Sequence, residues 1–234
     1  MNSTNKPLTI LYRDEWLVAV DKPAGQLVHP ANHPKEGDLV TMKILRDQID
    51  HRVYNIHRID RPTTGVLLFA LCRDAAKALH RDLRHHKISK TYWAVCQGTV
   101  SDQPWECYQG IQKEDNEPIR DAHTSFHCLA SAYPPCLADE NSSCISLVEA
   151  KPHTGRYHQI RRHMLHINKP IVGDFRYAGI ETSQHLGQLL GTGSRMLLQS
   201  KSLTLRHPVS DKQLTITSPP DPFIAKLFPE YSNH

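Results

Sequence analysis

The segment His57-Arg58-Ile59-Asp60-Arg61-Pro62-Thr63-Thr64-Gly65 places one carboxylate between two arginines, directly before the apolar run Val66 to Leu71. Guanidinium groups on both sides favour the ionised form of such an aspartate, and an ionised aspartate can serve as nucleophile or general base. The same spacing also fits an ion pair that closes a turn. Further along, Tyr92 stands in an apolar stretch, where a tyrosine commonly buries its ring and lets its hydroxyl reach a polar partner. Arg161 lies in a basic segment, from which it can contact phosphate or pair with a carboxylate. The runs His80 to Lys87 and Arg161-Arg162-His163 are basic clusters that suit solvated faces and phosphate contacts equally. Histidines 153, 158, 163 and 166 offer metal-ligating nitrogens, but neither an H-E-x-x-H pattern nor a cysteine pair accompanies them. Satisfied or surface histidines are therefore the expectation, and no metal site is assigned.

Short elements must position these groups. Leu8 to Tyr12 and Trp16 to Val20, around Arg13-Asp14-Glu15, read as an N-terminal β-hairpin that ends at Lys22-Pro23-Ala24-Gly25. Asp38 and Asp74 are candidate caps for helices through Met42 to Ile49 and from Ala75 to about His86. The polar turn Pro62-Thr63-Thr64-Gly65 delivers the chain into a buried strand from Val66 to Leu71. Tyr92 to Cys96 and Ile145 to Ala150 are further strands. Ile160, Met164 and Ile167 recur at helical spacing opposite Gln159, Arg162, His163 and His166, which predicts a basic amphipathic helix ending before Pro170. Leu197-Leu198, Leu203 to Leu205 and Leu214 to Thr217 read as closing strands, and Pro222 to Phe228 as a short final helix. Without a βαβ period or an internal repeat, the expected class is α+β, a mixed and largely antiparallel sheet with flanking helices.

Composition narrows the class. At 234 residues with 39% hydrophobic and 22% charged residues, the chain has the make-up of a soluble globular protein. The expected organisation is a flexible N-terminus over 1–7 and a single domain over 8–234, with residues 99–143 as a possible peripheral insertion. Apolar runs fall well short of the roughly 20 residues that span a bilayer. The polar start lacks a secretory pattern, so a cytoplasmic location is expected. Cys72, Cys96, Cys107, Cys128, Cys136 and Cys144 form no C-x-x-C pair, and reduced thiols are expected. A net charge of +4 from 28 Lys plus Arg, with 16 histidines besides, permits RNA binding without requiring it.

His57-Arg58-Ile59-Asp60 followed by Thr63-Thr64-Gly65 resembles the central H-R-L-D-x-x-T-S-G motif of the RluA-type pseudouridine synthases, with Ile59 and Thr64 as conservative departures. Lys90-Thr91-Tyr92-Trp93-Ala94 is similar to that family's K-x-Y-x-A strand. Thr154-Gly155-Arg156-Tyr157-His158-Gln159-Ile160-Arg161 is similar to its T-G-R-x-H-Q-I-R segment, and the three blocks stand in the family's order. Asp21 to Gly25, Gly173-Asp174 and Arg195 to Leu198 also fit, so the resemblance runs over about residues 8–217. Within the family, residues Ile10 to Val20 and Arg61 to Leu68 look closest to members that modify uridine 65 of tRNA.

The resemblance implies the pseudouridine synthase catalytic fold and an isomerase that needs no cofactor and no metal. It implies Asp60 as the catalytic carboxylate, Arg161 as the arginine that pairs with it, and Tyr92 as the residue that stacks on the target uracil. It further implies Arg58 as the wedge that fills the space left by the everted base, with Arg156, His57 and Thr64 among the substrate-binding residues. The partner it implies is tRNA, and not DNA or a membrane; the alternatives are a ribosomal-RNA pseudouridine synthase and a noncatalytic RNA-binding module that uses the same basic surface. Catalytic-domain sequence begins at once, leaving no room for an S4-like RNA-binding module, and a monomer suffices because all three blocks lie on one chain.

Overall fold

Apolar runs become strands, and the stretches of helical period become helices that cover them. The computed structural model describes residues 6–30, 36–138 and 144–233. In chain order the elements are β1 (Thr9–Arg13), β2 (Leu17–Lys22), α1 (Thr41–Ile49), β3 (Tyr54–Asn55), β4 (Thr64–Ala70), α2 (Arg73–Arg84), β5 (Ser89–Gln97), β6 (Trp105–Cys107), β7 (Thr124–Ala132), β8 (Ile145–Pro152), α3 (Gln159–His166), α4 (Ile180–Leu189), β9 (Leu198–Arg206), β10 (Gln213–Thr217) and α5 (Pro222–Leu227). The class is α+β with largely antiparallel pairing, as the sequence predicts. No described helix is long and apolar enough to cross a membrane.

The chain divides into two compact units, Met1–Ser89 with Ser200–Pro219, and Lys90–Gln199 with Pro220–His234. In the first, the strands follow the order β1, β2, β4, β9, with β10 on β9 and β3 on β4. Every residue of β4 is buried, which explains why its sequence is a continuous apolar run rather than an alternating one. Val66, Leu68 and Ala70 face a core shared with Leu17, Ala19, Ile56, Leu203, Leu205 and the α2 residues Ala75, Ala76 and Leu79. Each fully buried aliphatic side chain contributes about 1.5–3 kcal/mol. A slip of one residue would exchange the two faces of the strand, so this burial fixes the register Lys22↔Gly65 and Asp21↔Val66.

In the second unit the order is β5, β8, β7, β6, all antiparallel, with Tyr92 opposite Ala150 and Glu106 opposite Ser125. Its core joins Trp93, Val95, Ile145 and Leu147 to Leu186 of α4 and to Ile224 and Phe228 at the C-terminal helix. Residues 99–143, expected as a peripheral insertion, supply β6 and β7, and β7 is paired along its length with β8. Residues 139–143 of that segment lie outside the described residues.

Several local expectations are corrected. Asp38 does not cap α1, whose N-cap is Val40, because its carboxylate is paired with Arg61 at 3.1 Å. Asp74 lies inside the first turn of α2 rather than at the Cys72 cap, where it still complements the positive helix end. Leu197 to Leu205 form mainly one strand instead of two. α4 went unread in the sequence because Thr, Ser and Gly are weak helix formers. Its Gly187 is set by packing, since a Cβ there would lie 2.0 Å from the carbonyl oxygen of Gly193.

Candidate active site

Asp60 sits half-buried on the loop between β3 and β4. Its carbonyl accepts the Thr63 N–H at 3.0 Å, closing a turn over Arg61 and Pro62. Beneath that turn the Lys22 ammonium, fully buried, donates to the carbonyls of Pro23, Gln26 and Arg61 at 2.8, 3.0 and 3.1 Å. Three donors meeting three carbonyls replace the water that a buried ammonium has lost. The Arg61 carbonyl also accepts from Gly25 N at 2.8 Å, while its guanidinium donates to the Gly25 carbonyl at 2.8 Å and pairs with Asp38. Two clamps thus hold the turn that displays Asp60 against residues 22–26.

The two arginines that flank Asp60 are therefore unequal. Both are exposed, but the Arg61 side chain is engaged in bracing the loop. His57 and Thr64, expected among the substrate-binding residues, lie inside the fold. His57 Nε2 accepts the Leu68 N–H at 3.1 Å, so its ring pins the loop to β4 from within. Gly65, at φ +100°, has the Ser200 carbonyl oxygen 2.2 Å from where a Cβ would stand. Close approach of β9 thus requires the glycine that ends the sequence block.

The other predicted residues lie in the second unit. Tyr92 is 8% exposed at one end of the β5 and β8 pairing, opposite Ala150. The block from Thr154 to Arg161 is organised by Gln159. Its Oε1 accepts from Thr154 Oγ1 at 2.6 Å and Arg156 N at 3.0 Å, and its Nε2 donates to the His123 carbonyl at 2.9 Å and Thr124 Oγ1 at 2.8 Å. Both ends of the amide are satisfied, which gives the block's threonine and glutamine a shared structural reason. Arg156 is exposed, with Nε donating to the Asp121 carbonyl at 2.8 Å.

Arg161, at 6% exposure, makes a two-pronged pair with Asp174, at 1%, through Nε to Oδ2 at 2.7 Å and Nη2 to Oδ1 at 2.8 Å. Its guanidinium also lies 5.0 Å over the ring of Tyr177, whose phenol burial pushes up. A planar fork with five donors can serve Asp174 and still orient a second acceptor. Gly173 places Asp174, since a Cβ there, at φ +75°, would lie 1.9 Å from the Arg195 carbonyl oxygen.

Of the basic clusters, His80 to Lys87 is mostly exposed at the end of α2. Arg161-Arg162-His163 is not an exposed patch. Arg162 is half-buried and donates to the Gln112 carbonyl, and His163 is buried against the Gln109 carbonyl at 3.0 Å, with burial lowering its pKa. The predicted polar side of α3 is therefore partly internal. Histidines 153, 158, 163 and 166 do not gather: His158 stacks on Tyr157 at 3.7 Å, while His153 stacks on His123 at 4.1 Å. Among the described residues, the group of metal-ligating side chains that converges is Glu106, His123 and His153.

Sequence reasoning missed three residues that hold these candidates in place, one in the first unit and two in the second. Lys22 lay within a noted block, yet a lysine ending a strand ordinarily faces water. The available signal was its place between four apolar strand positions and a Pro-Ala-Gly turn. Asp174 likewise carried a block position without an assigned partner, and Tyr177 three residues later carried no signal at all.

Comparison with known proteins shows the family. A family model described as RNA pseudouridylate synthase matches residues 16–166. A Haemophilus influenzae protein named tRNA pseudouridine synthase C is 40% identical over 223 residues, covering 90% of this chain and 92% of that protein. Its Yersinia pestis namesake is 39% identical over 222 residues, covering 90% and 86%. A longer Pectobacterium carotovorum namesake is 39% identical over 219 residues, and this chain spans 58% of its length. The structure of human RNA pseudouridylate synthase domain containing 1 superposes with a TM-score of 0.74 at 23% identity, covering 100% of this chain and 91% of that one, which shows a common fold. With the match reaching over more than half of its length, and with relatives 39–40% identical over 90% of it, this chain belongs to the RNA pseudouridylate synthase family.

Proposed function

We propose that this protein isomerises uridine to pseudouridine in tRNA, at position 65, with Asp60 as the catalytic carboxylate. The observation that carries the proposal is the placement of Asp60 on a turn braced by Lys22 and Arg61, in a chain 36–40% identical to proteins named tRNA pseudouridine synthase C. The family match runs through both compact units, which supports taking residues 8–234 as one catalytic domain.

The reaction breaks the N1–C1′ bond, turns the uracil and joins C5 to the same carbon, while C5 loses a proton and N1 gains one. It is redox-neutral and needs no cofactor. Asp60 either attacks covalently or removes a sugar proton, and both routes use the carboxylate form. Arg161, held by Asp174, orients and charge-stabilises that carboxylate. Tyr92 stacks on the uracil and assists loss of the C5 proton. Taking the base out of a stem costs a few kcal/mol, which Arg58 offsets by filling the vacated space. Arg156 contacts the backbone, and His57 and Thr64 shape the pocket by holding the loop. One chain in the cytoplasm suffices, with neither DNA nor membrane as partner.

The test is to map pseudouridine across tRNA and ribosomal RNA in cells lacking the gene. Loss of the tRNA position-65 mark alone supports the proposal. Loss confined to ribosomal RNA overturns the target while leaving the reaction type standing.

A further inference from the structure

In the second unit, three adjacent strand ends bring together side chains that the isomerisation does not use. Glu106 stands on β6, opposite Ser125 of β7. His123 immediately precedes β7 and His153 immediately follows β8, and the backbone ties the two by a bond from His153 N to the His123 carbonyl at 2.9 Å. One carboxylate oxygen of Glu106 and one ring nitrogen from each histidine all lie within 4.8 Å of one another.

The surroundings hold these donors in place. Glu106 Oε2 accepts from His123 Nε2 at 2.6 Å and from Ser125 Oγ at 2.9 Å. With its proton directed to the carboxylate, Ser125 Oγ accepts from His153 Nε2 at 2.5 Å. Near-parallel stacking fixes both rings, His123 on His153 at 4.1 Å and Tyr108 on His123 at 4.3 Å. Hydrogen bonds from His123 and Ser125 outweigh burial and lower the pKa of Glu106.

We propose that Glu106, His123 and His153 bind one divalent transition-metal ion of the zinc class, clamping β6 to the ends of β7 and β8. Two imidazole nitrogens and one carboxylate suit a borderline ion with positions left for water. The nitrogen donors disfavour Mg²⁺ and Ca²⁺, which take oxygen ligands. To coordinate, both Nε2 atoms must give up the protons they now donate, the neutral rings keeping theirs on Nδ1. Ser125, still bonded to Glu106, becomes the outer partner that orients the carboxylate. This site stands apart from the proposed isomerisation, which needs no metal.

The experiment uses the full chain stripped by chelator and titrated with Zn²⁺, Co²⁺ and Mg²⁺ by calorimetry, with thermal unfolding as a second readout. The proposal expects one equivalent of Zn²⁺ or Co²⁺ to bind and raise Tm, with Mg²⁺ without effect. Replacing both rings, H123A with H153A, abolishes both responses, Glu106→Gln weakens them, and Ser125→Ala weakens affinity by about tenfold. Circular dichroism checks that each variant is folded. Unchanged binding in the double variant, an equal response to Mg²⁺, or thiolate charge-transfer bands in the Co²⁺ spectrum, the mark of cysteine ligation, would each overturn it. So would the lack of any Tm shift or binding heat in the wild-type protein.

Discussion

The buried ammonium of Lys22 donates to the carbonyl of Arg61 at 3.1 Å, and Arg61 follows Asp60, the proposed catalytic carboxylate. Methionine at position 22 has a similar volume but no donor, so the carbonyls of Pro23 and Gln26 lose their ammonium partner while the Arg61 carbonyl retains Gly25 N. Lys22→Met is expected to lower unfolding free energy by about 2–4 kcal/mol in urea titrations. Turnover should fall more than RNA affinity, because the braced turn carries Asp60. Stability equal to that of the wild type would contradict the bracing role.

Two glycines with left-handed backbone separate conformational strain from close packing. At Gly25, φ +85°, a Cβ would meet nothing within 4 Å, whereas at Gly65 it would meet the Ser200 carbonyl oxygen at 2.2 Å. Gly25→Ala should therefore cost only the backbone strain, about 1–2 kcal/mol. Gly65→Ala adds a clash with a neighbouring strand and should cost at least about 3 kcal/mol or prevent folding. Comparing the two by chemical denaturation checks the difference.

Much of this was legible from the residues because burial writes itself into pattern. The hairpin of β1 and β2, the buried β4 and the strands β5 and β8 follow from apolar runs bounded by turns, and the Asp60 loop from its charged residues ahead of such a run. Partner choice was less legible. Arg61 looks like a companion of Asp60 in sequence, but its side chain reaches Gly25 and Asp38. Arg161 and Asp174 are 13 residues apart, and only the fold brings that fork and that carboxylate together. His163 reads as polar surface on a helical wheel, yet it is buried against the Gln109 carbonyl, while His166 on the same helix stays exposed.

The pair of Arg161 and Asp174 yields a prediction about catalysis. Asp174→Asn keeps the shape but removes the charge opposing a buried guanidinium, which typically costs about 3–5 kcal/mol. Arg161→Lys retains charge and loses the fork. In the lysine variant kcat should fall by about 100-fold with KM nearly unchanged, as steady-state kinetics on a tRNA transcript would show. A change confined to KM would instead make Arg161 a phosphate contact.

Asp14 sets an acid limit on the first unit. It accepts from Tyr12 Oη at 2.6 Å and from Trp16 N, Leu17 N and His207 Nε2, each at 2.8 Å. Burial pushes its pKa up, but these bonds outweigh burial and hold it below the usual carboxylate range, while the Tyr12 phenol is pushed up to about 12, chiefly by its bond to Asp14. A depressed folded-state pKa stabilises above the unfolded value of about 3.9 and ceases to do so as pH falls through the folded value. Asp14→Asn should thus lower stability by about 1–3 kcal/mol at pH 7. Denaturation curves of the two proteins should converge below about pH 4.

The carboxylate of Asp60 is tested most directly by release of tritium from uracil C5 in a tRNA transcript, with the wild-type protein and Asp60→Asn compared at equal RNA occupancy. The expected result is full release by the wild type and a loss of at least about a thousandfold in the variant, with RNA binding retained. Release at the wild-type rate by Asp60→Asn would contradict the assignment, and no release by the wild type from any uridine-containing RNA would contradict the activity itself.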